Sequence, residues 1–238
     1  MTTGGREPGA AFVLIVITSV LASGCASNPI ASPAAAPAAP AGPVSPLLFS
    51  DDFTSYNPRW RQVRGQWSVI EGSVRQTRDD VRDLNAVFYY DPLTIADADI
   101  TVETTMLADL PQFLTKADEE LLNVKRRVAG AGIVFRYQDE SNFYLFRIAG
   151  EEGAVLGKVI NGEWKELANP RAANFAGTRL KMDTPYTLRV RVAGKRIQCW
   201  IADQAVANLD DDSFSTGRIG LTTFRSKASF SFLRVAEY

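Results

Sequence analysis

The sequence predicts an all-β, antiparallel sandwich. Three observations carry this: period-two alternation of apolar and polar residues recurs along 47–238, helical periodicity is scarce, and tight-turn dipeptides punctuate the apolar runs. The turn dipeptides are Glu71-Gly72, Asn161-Gly162 and Gly194-Lys195. Many short strands at this spacing bury their apolar faces by stacking two sheets.

In chain order, strands are expected at 47–53, 67–70, 73–77, 86–90, 98–106, 132–138, 143–149, 154–160, 164–168, 184–193, 196–202, 217–224 and 228–236. One segment dissents. Residues 115–128 are charge-rich and set apart by Pro111, with Leu121, Leu122, Val124 and Val128 on a narrow apolar stripe. An inserted helix or long loop is expected within 111–129. Parity registers two hairpins. A loop at Asp139–Asn142 sets Ile133, Phe135 and Tyr137 opposite Ile148, Phe146 and Tyr144 on the inner face. Val134, Arg136, Phe143, Leu145 and Arg147 then lie outside, with both arginines on one surface. A two-residue turn at Gly194-Lys195 pairs Val192 with Ile197, Val190 with Cys199 and Leu188 with Ile201 as core. Arg189 then stands across from Trp200 on the opposite face, and Cys199 is expected to be a buried, inert thiol.

The N-terminus has a different character. Residues 10–22 are an apolar run of about 13 residues, too short for a bilayer core that needs ~20 helical residues. Arg6 precedes it and small residues follow, the layout of a secretory signal. Ala22-Ser23-Gly24-Cys25 resembles the lipobox of bacterial lipoproteins. That resemblance implies cleavage after residue 24 and lipidation of Cys25, which becomes the new N-terminus and anchors the chain in a membrane. The alternative is an ordinary signal peptide with an incidental cysteine. From Ala26 to Pro46 there are six prolines, eight alanines and no charge, a tether over 25–46 rather than a core. Under the sorting rule of Gram-negative lipoproteins, Ala26 implies the outer membrane, so the expected location is the cell envelope.

Without residues 1–24 the chain keeps 25 Lys+Arg against 26 Asp+Glu. That balance argues against nucleic acid as a partner. A lipidated Cys25 leaves Cys199 without a disulfide partner. There is no histidine, which excludes His-based acid–base catalysis, Ser-His-Asp and Cys-His nucleophiles, and histidine-containing zinc sites. Asp79, Asp80 and Asp83 share one polar loop and Asp210-Asp211-Asp212 another. Oxygen-rich loops can hold Ca²⁺, but neither has the spacing of a known calcium loop, so solvated turns are expected and no cofactor is required.

Phe49-Ser50-Asp51-Asp52-Phe53, then Gly65-Gln66-Trp67-Ser68-Val69-Ile70-Glu71-Gly72, resemble the opening of concanavalin A-like lectin/glucanase jelly rolls. Ala131–Asp139, Asn142–Arg147 and the closing Gly217-Arg218-Ile219-Gly220-Leu221 are similar to the same superfamily, including its laminin G-like members and the 3-keto-disaccharide hydrolase (DUF1080) branch. The resemblance covers most of 47–238. It implies a jelly roll with first and last strands side by side, and a role in binding or cleaving carbohydrate.

Cleavage needs two carboxyls at a defined separation. The nearest pattern is Asp97, Asp99 and Glu103, which share one side of a strand but depart from the glucanase spacing. A solvated strand edge is the expected reading, with the first two acids in a turn. No catalytic residues are assigned. The expected function is glycan binding without cleavage, with a glycoside-cleaving enzyme and a protein-interaction scaffold using 115–128 as alternatives. The candidate ligand residues are Arg136 with Arg147, Arg189 with Trp200, and Trp164 at a strand tip. Trp60 and Trp67 are expected to anchor the core.

Overall fold

The computed structural model describes residues 45–78, 85–108, 129–151, 153–177 and 179–238, all within the compact unit Pro43–Tyr238. Cys25, the apolar run, nearly all of the tether, the Asp79–Asp83 loop and the 115–128 insertion lie outside the described residues.

The strands are β1 (Leu47–Asp51), β2 (Trp60–Gln62), β3 (Trp67–Ile70), β4 (Ser73–Gln76), β5 (Ala86–Ile95), β6 (Ala98–Met106), β7 (Gly130–Asp139), β8 (Asn142–Ala149), β9 (Gly153–Ile160), β10 (Glu163–Ala168), β11 (Pro185–Ala193), β12 (Arg196–Ile201), β13 (Gln204–Asp210), β14 (Gly217–Phe224) and β15 (Ala228–Ala236). A single helical turn, α1 (Ala172–Phe175), follows β10. They form two antiparallel sheets. One is ordered β13-β12-β11-β6-β15-β4-β3, with β1 also on β15; the other is β10-β9-β8-β7-β14-β5-β2. Every expected strand is present. β2 and β13 are additions, both at sheet edges.

The terminal strands pair as the jelly-roll resemblance implies: Phe49 lies opposite Val235 and Asp51 opposite Leu233. The inner faces make one core. Ile100, Val102, Leu188, Val190, Val192, Ile197, Cys199, Phe230 and Leu233 come from the first sheet; Phe88, Ile133, Phe135, Tyr144, Phe146, Leu156 and Leu221 come from the second. The β11–β12 hairpin has the expected register, Val192 on Ile197 and Leu188 on Ile201. Cys199 is fully enclosed, and burial pushes its thiol pKa well above the ordinary value. Trp60 and Trp67 are core residues that both stack on the same partner, Phe88, with centroids at 4.9 and 5.2 Å.

The β7–β8 hairpin departs from its expected register. Asp139 faces Asn142, yet Phe135 faces Tyr144, so three residues of β7 oppose one of β8. Arg136 sits at the bulge with φ +48°, a left-handed backbone that a non-glycine residue adopts only at a cost. The bulge exchanges two side chains. Tyr137 turns to the outer face beside Phe143 and Leu145, and Arg136 turns in and is fully buried. Arg136 and Arg147 therefore do not share a surface.

Every nitrogen of the buried guanidinium is hydrogen-bonded. Its Nε and Nη2 donate to the Ala96 carbonyl at 3.2 and 2.8 Å, Nη2 also to Gly194 O at 2.8 Å, and Nη1 to Phe214 O at 2.9 Å. Asp97 stands 3.6 Å away and itself accepts from the Gly194 N–H at 2.7 Å. One side chain thus ties the β5–β6, β11–β12 and β13–β14 connections together. Gly217 is required opposite it, because a Cβ there would come within 2.3 Å of the Arg136 carbonyl carbon. Replacing Arg136 by Ala takes their donor from three carbonyls; urea denaturation should show a loss of about 3–5 kcal/mol.

Candidate functional site

The seven-stranded sheet is apolar on both faces. Its outer face carries Val87, Val134, Tyr137, Phe143, Leu145, Val155 and Val159, all buried. On this face lies a cavity of about 380 Å³ lined by Val63, Arg64, Asn85, Val87, Glu140, Phe143, Arg147, Val159, Gly162, Trp164 and Phe224. Its size is within the ~300–1,000 Å³ of small-molecule sites.

Arg147 is the centre of the site. It leaves β8 on the outer face, opposite Gly132 of β7. A Cβ on Gly130 would stand 3.0 Å from Arg147 Cδ and 3.2 Å from its Nη1, so the bare β7 backbone provides the trough in which the side chain lies. The guanidinium ends over the ring of Phe224 on β14, with Cζ 4.3 Å from the centroid. Its Nε and Nη1 are closed off from solvent and have no hydrogen-bond partner. Burial lowers its pKa to about 10, so it is still a cation at neutral pH. Asn85 Oδ1, in the same lining, is likewise buried and unpartnered. Unmatched donors and acceptors of this kind are costly to enclose and are uncommon in folded proteins.

Trp164 forms the wall. It pairs with Val159 across β10 and β9, and its indole rests on Gly157, where an added Cβ would meet the ring at 2.1 Å. It remains 44% exposed, offering an aromatic face at the rim. Arg64 pairs with Glu140 on another side of the lining. Neutralising that pair leaves Arg147 as the uncompensated charge among the described lining residues.

The second expected pair lies on the other sheet. Arg189 and Arg191 both bind Asp99, Arg189 Nε at 2.6 Å and Arg191 Nη2 at 2.8 Å. Burial works to raise the Asp99 pKa, but the bonds from the two arginines prevail and hold it below the usual carboxylate value. Trp200 packs beneath both guanidinium groups, 5.1 and 5.6 Å from its ring. This face is matched within itself. Of the remaining acids in that row, Asp97 serves the Arg136 cluster and Glu103 accepts from the Ser231 hydroxyl. In the Asp210–Asp212 loop, Asp210 pairs with Arg196 and Lys195, and Asp211 with Lys158 at 2.5 Å and with the Tyr144 hydroxyl. Among the described residues, no group of three or more Cys, Asp or Glu is arranged to hold a metal ion.

The structure therefore joins Arg147 with Trp164, keeps Arg189 with Trp200 on the opposite sheet, and withdraws Arg136 into the end of the sandwich. Asn85, Arg64, Glu140 and Phe224 were not foreseen as site residues. Gly130, Gly132 and Gly157 were the available signal, since glycine inside a strand marks close approach of another group.

No family model and no curated protein matches the chain. Solved structures do. The carbohydrate-binding module CBM66 from Bacillus subtilis superposes with a TM-score of 0.60 at 21% identity, over 75% of this chain and 96% of that one. A protein of unknown function with galectin-like fold from Bacillus subtilis gives 0.58 at 14% identity, over 81% and 96%. The Bacillus licheniformis β-glucanase gives 0.53 at 11% identity, over 80% and 98%. At these identities the likeness concerns the fold alone, a jelly-roll β-sandwich.

Proposed function

We propose that this chain is a lipid-anchored protein of the cell envelope, sited at the outer membrane, whose sandwich binds carbohydrate without cleaving it. The observation that carries the binding is Arg147: a part-buried cation whose Nε and Nη1 have no partner, in a cavity walled by a half-exposed tryptophan. A sugar matches both, with hydroxyl oxygens for the donors and C–H faces for the indole. The fold shared with CBM66 supports the same reading. Glu140 is the lone carboxylate among the described lining residues and is held by Arg64, whereas glycoside hydrolysis ordinarily uses two carboxyls. The lipid anchor rests on the Ala22–Cys25 lipobox and the uncharged tether.

Two tests follow from this reading. Full-length protein screened on a glycan array should bind, and Arg147→Met should abolish binding while raising stability in urea by about 1–3 kcal/mol, because a buried, unpaired charge is removed. A destabilised Arg147→Met protein, or an array without binders, would make the arginine a structural group. In expressing bacteria, labelled palmitate should enter the wild-type chain and not Cys25→Ala; equal labelling would remove the anchor.

A further inference from the structure

We propose that the sugar seated over Arg147 is acidic, a uronate whose carboxylate supplies the counter-charge that the pocket lacks; this rests on the carbohydrate reading above. Neutral hydroxyls would occupy the donors and leave the charge uncompensated in a part-buried setting. Elsewhere the protein matches its buried and part-buried arginines with carboxylates. Arg136 has Asp97 and three carbonyls, and Arg189 and Arg191 share Asp99. Arg147 has the ring of Phe224 and no carboxylate. Arg64 and Glu140 cancel each other, so the described lining carries one positive charge in surplus.

The neighbouring groups fit the rest of such a residue. Asn85 Oδ1 is an enclosed acceptor that calls for a hydroxyl donor. Trp164, fixed on Gly157, offers a flat apolar face for the ring. A carboxylate, a hydroxyl and a C–H face on one small ring describe a uronic acid. Charge-assisted hydrogen bonds are the strong ones, and arginine is the side chain best suited to carboxylate geometry.

The test is titration calorimetry of the full chain with galacturonate, mannuronate, guluronate and glucuronate oligosaccharides, their methyl esters, and neutral and sulfated oligosaccharides. At least one free-acid oligosaccharide should bind, more weakly with added salt, and esterification should cost about tenfold or more in affinity. Arg147→Met should erase the preference for acid over ester, and Arg147→Lys should restore part of it. Urea denaturation of each variant separates loss of binding from loss of fold. Binding confined to neutral or sulfated glycans would leave the carbohydrate reading standing and overturn the uronate. Absence of binding to every glycan would overturn both.

Discussion

The buried guanidinium of Arg136 is the interaction on which the arrangement of this sandwich most depends. It belongs to the seven-stranded sheet, yet its hydrogen bonds reach the turn at Ala96, the β11–β12 hairpin at Gly194 and the crossing at Phe214. Two of those connections pass between sheets, so a single side chain sets the spacing of the layers at that end. Carbonyl acceptors and a nearby carboxylate offset part of the desolvation of the cation, and burial still lowers its pKa. The same bulge that turns Arg136 inward sends Tyr137 outward, where it stacks on Tyr89 at 5.0 Å. The outer aromatic surface is thus a by-product of the inner staple.

The two arginines of the β7–β8 hairpin meet opposite fates through their backbones. Arg136 takes a left-handed backbone, at a cost, and so turns out of the strand pattern. Arg147 keeps ordinary strand geometry and is laid down by the glycines of the adjacent strand. One is fully spent on the fold. The other keeps two closed-off nitrogens without partners, which is the pattern expected where stability has been exchanged for recognition.

Much of the fold was legible because alternation and turn chemistry agreed. The β11–β12 hairpin is the clearest instance: a two-residue turn leaves one register, and only one parity buries Leu188, Val190 and Val192. β13 escaped notice because the turn before it, Ala202-Asp203, adopts positive φ at both residues without glycine or asparagine. β2 is only Trp60–Gln62, too short to show a period. The bulge at Arg136 was hidden for a related reason: alternation fixes faces only while the strand stays regular. The candidate site was half visible. Arg147 and Trp164 stood out by type, whereas Asn85 and Phe224 acquire their roles from strands that meet only in the folded sheet.

Trp164 stands on β10, which among the described residues is the outermost ribbon of its sheet, hydrogen-bonded to β9. Its exposed companions Glu163, Lys165 and Glu166 keep that rim from recruiting another chain. A rim of this kind opens locally long before the sandwich melts. A molecule resting against the indole therefore acts as a splint, slowing amide exchange along β9 and β10 while leaving the interior of the sandwich untouched.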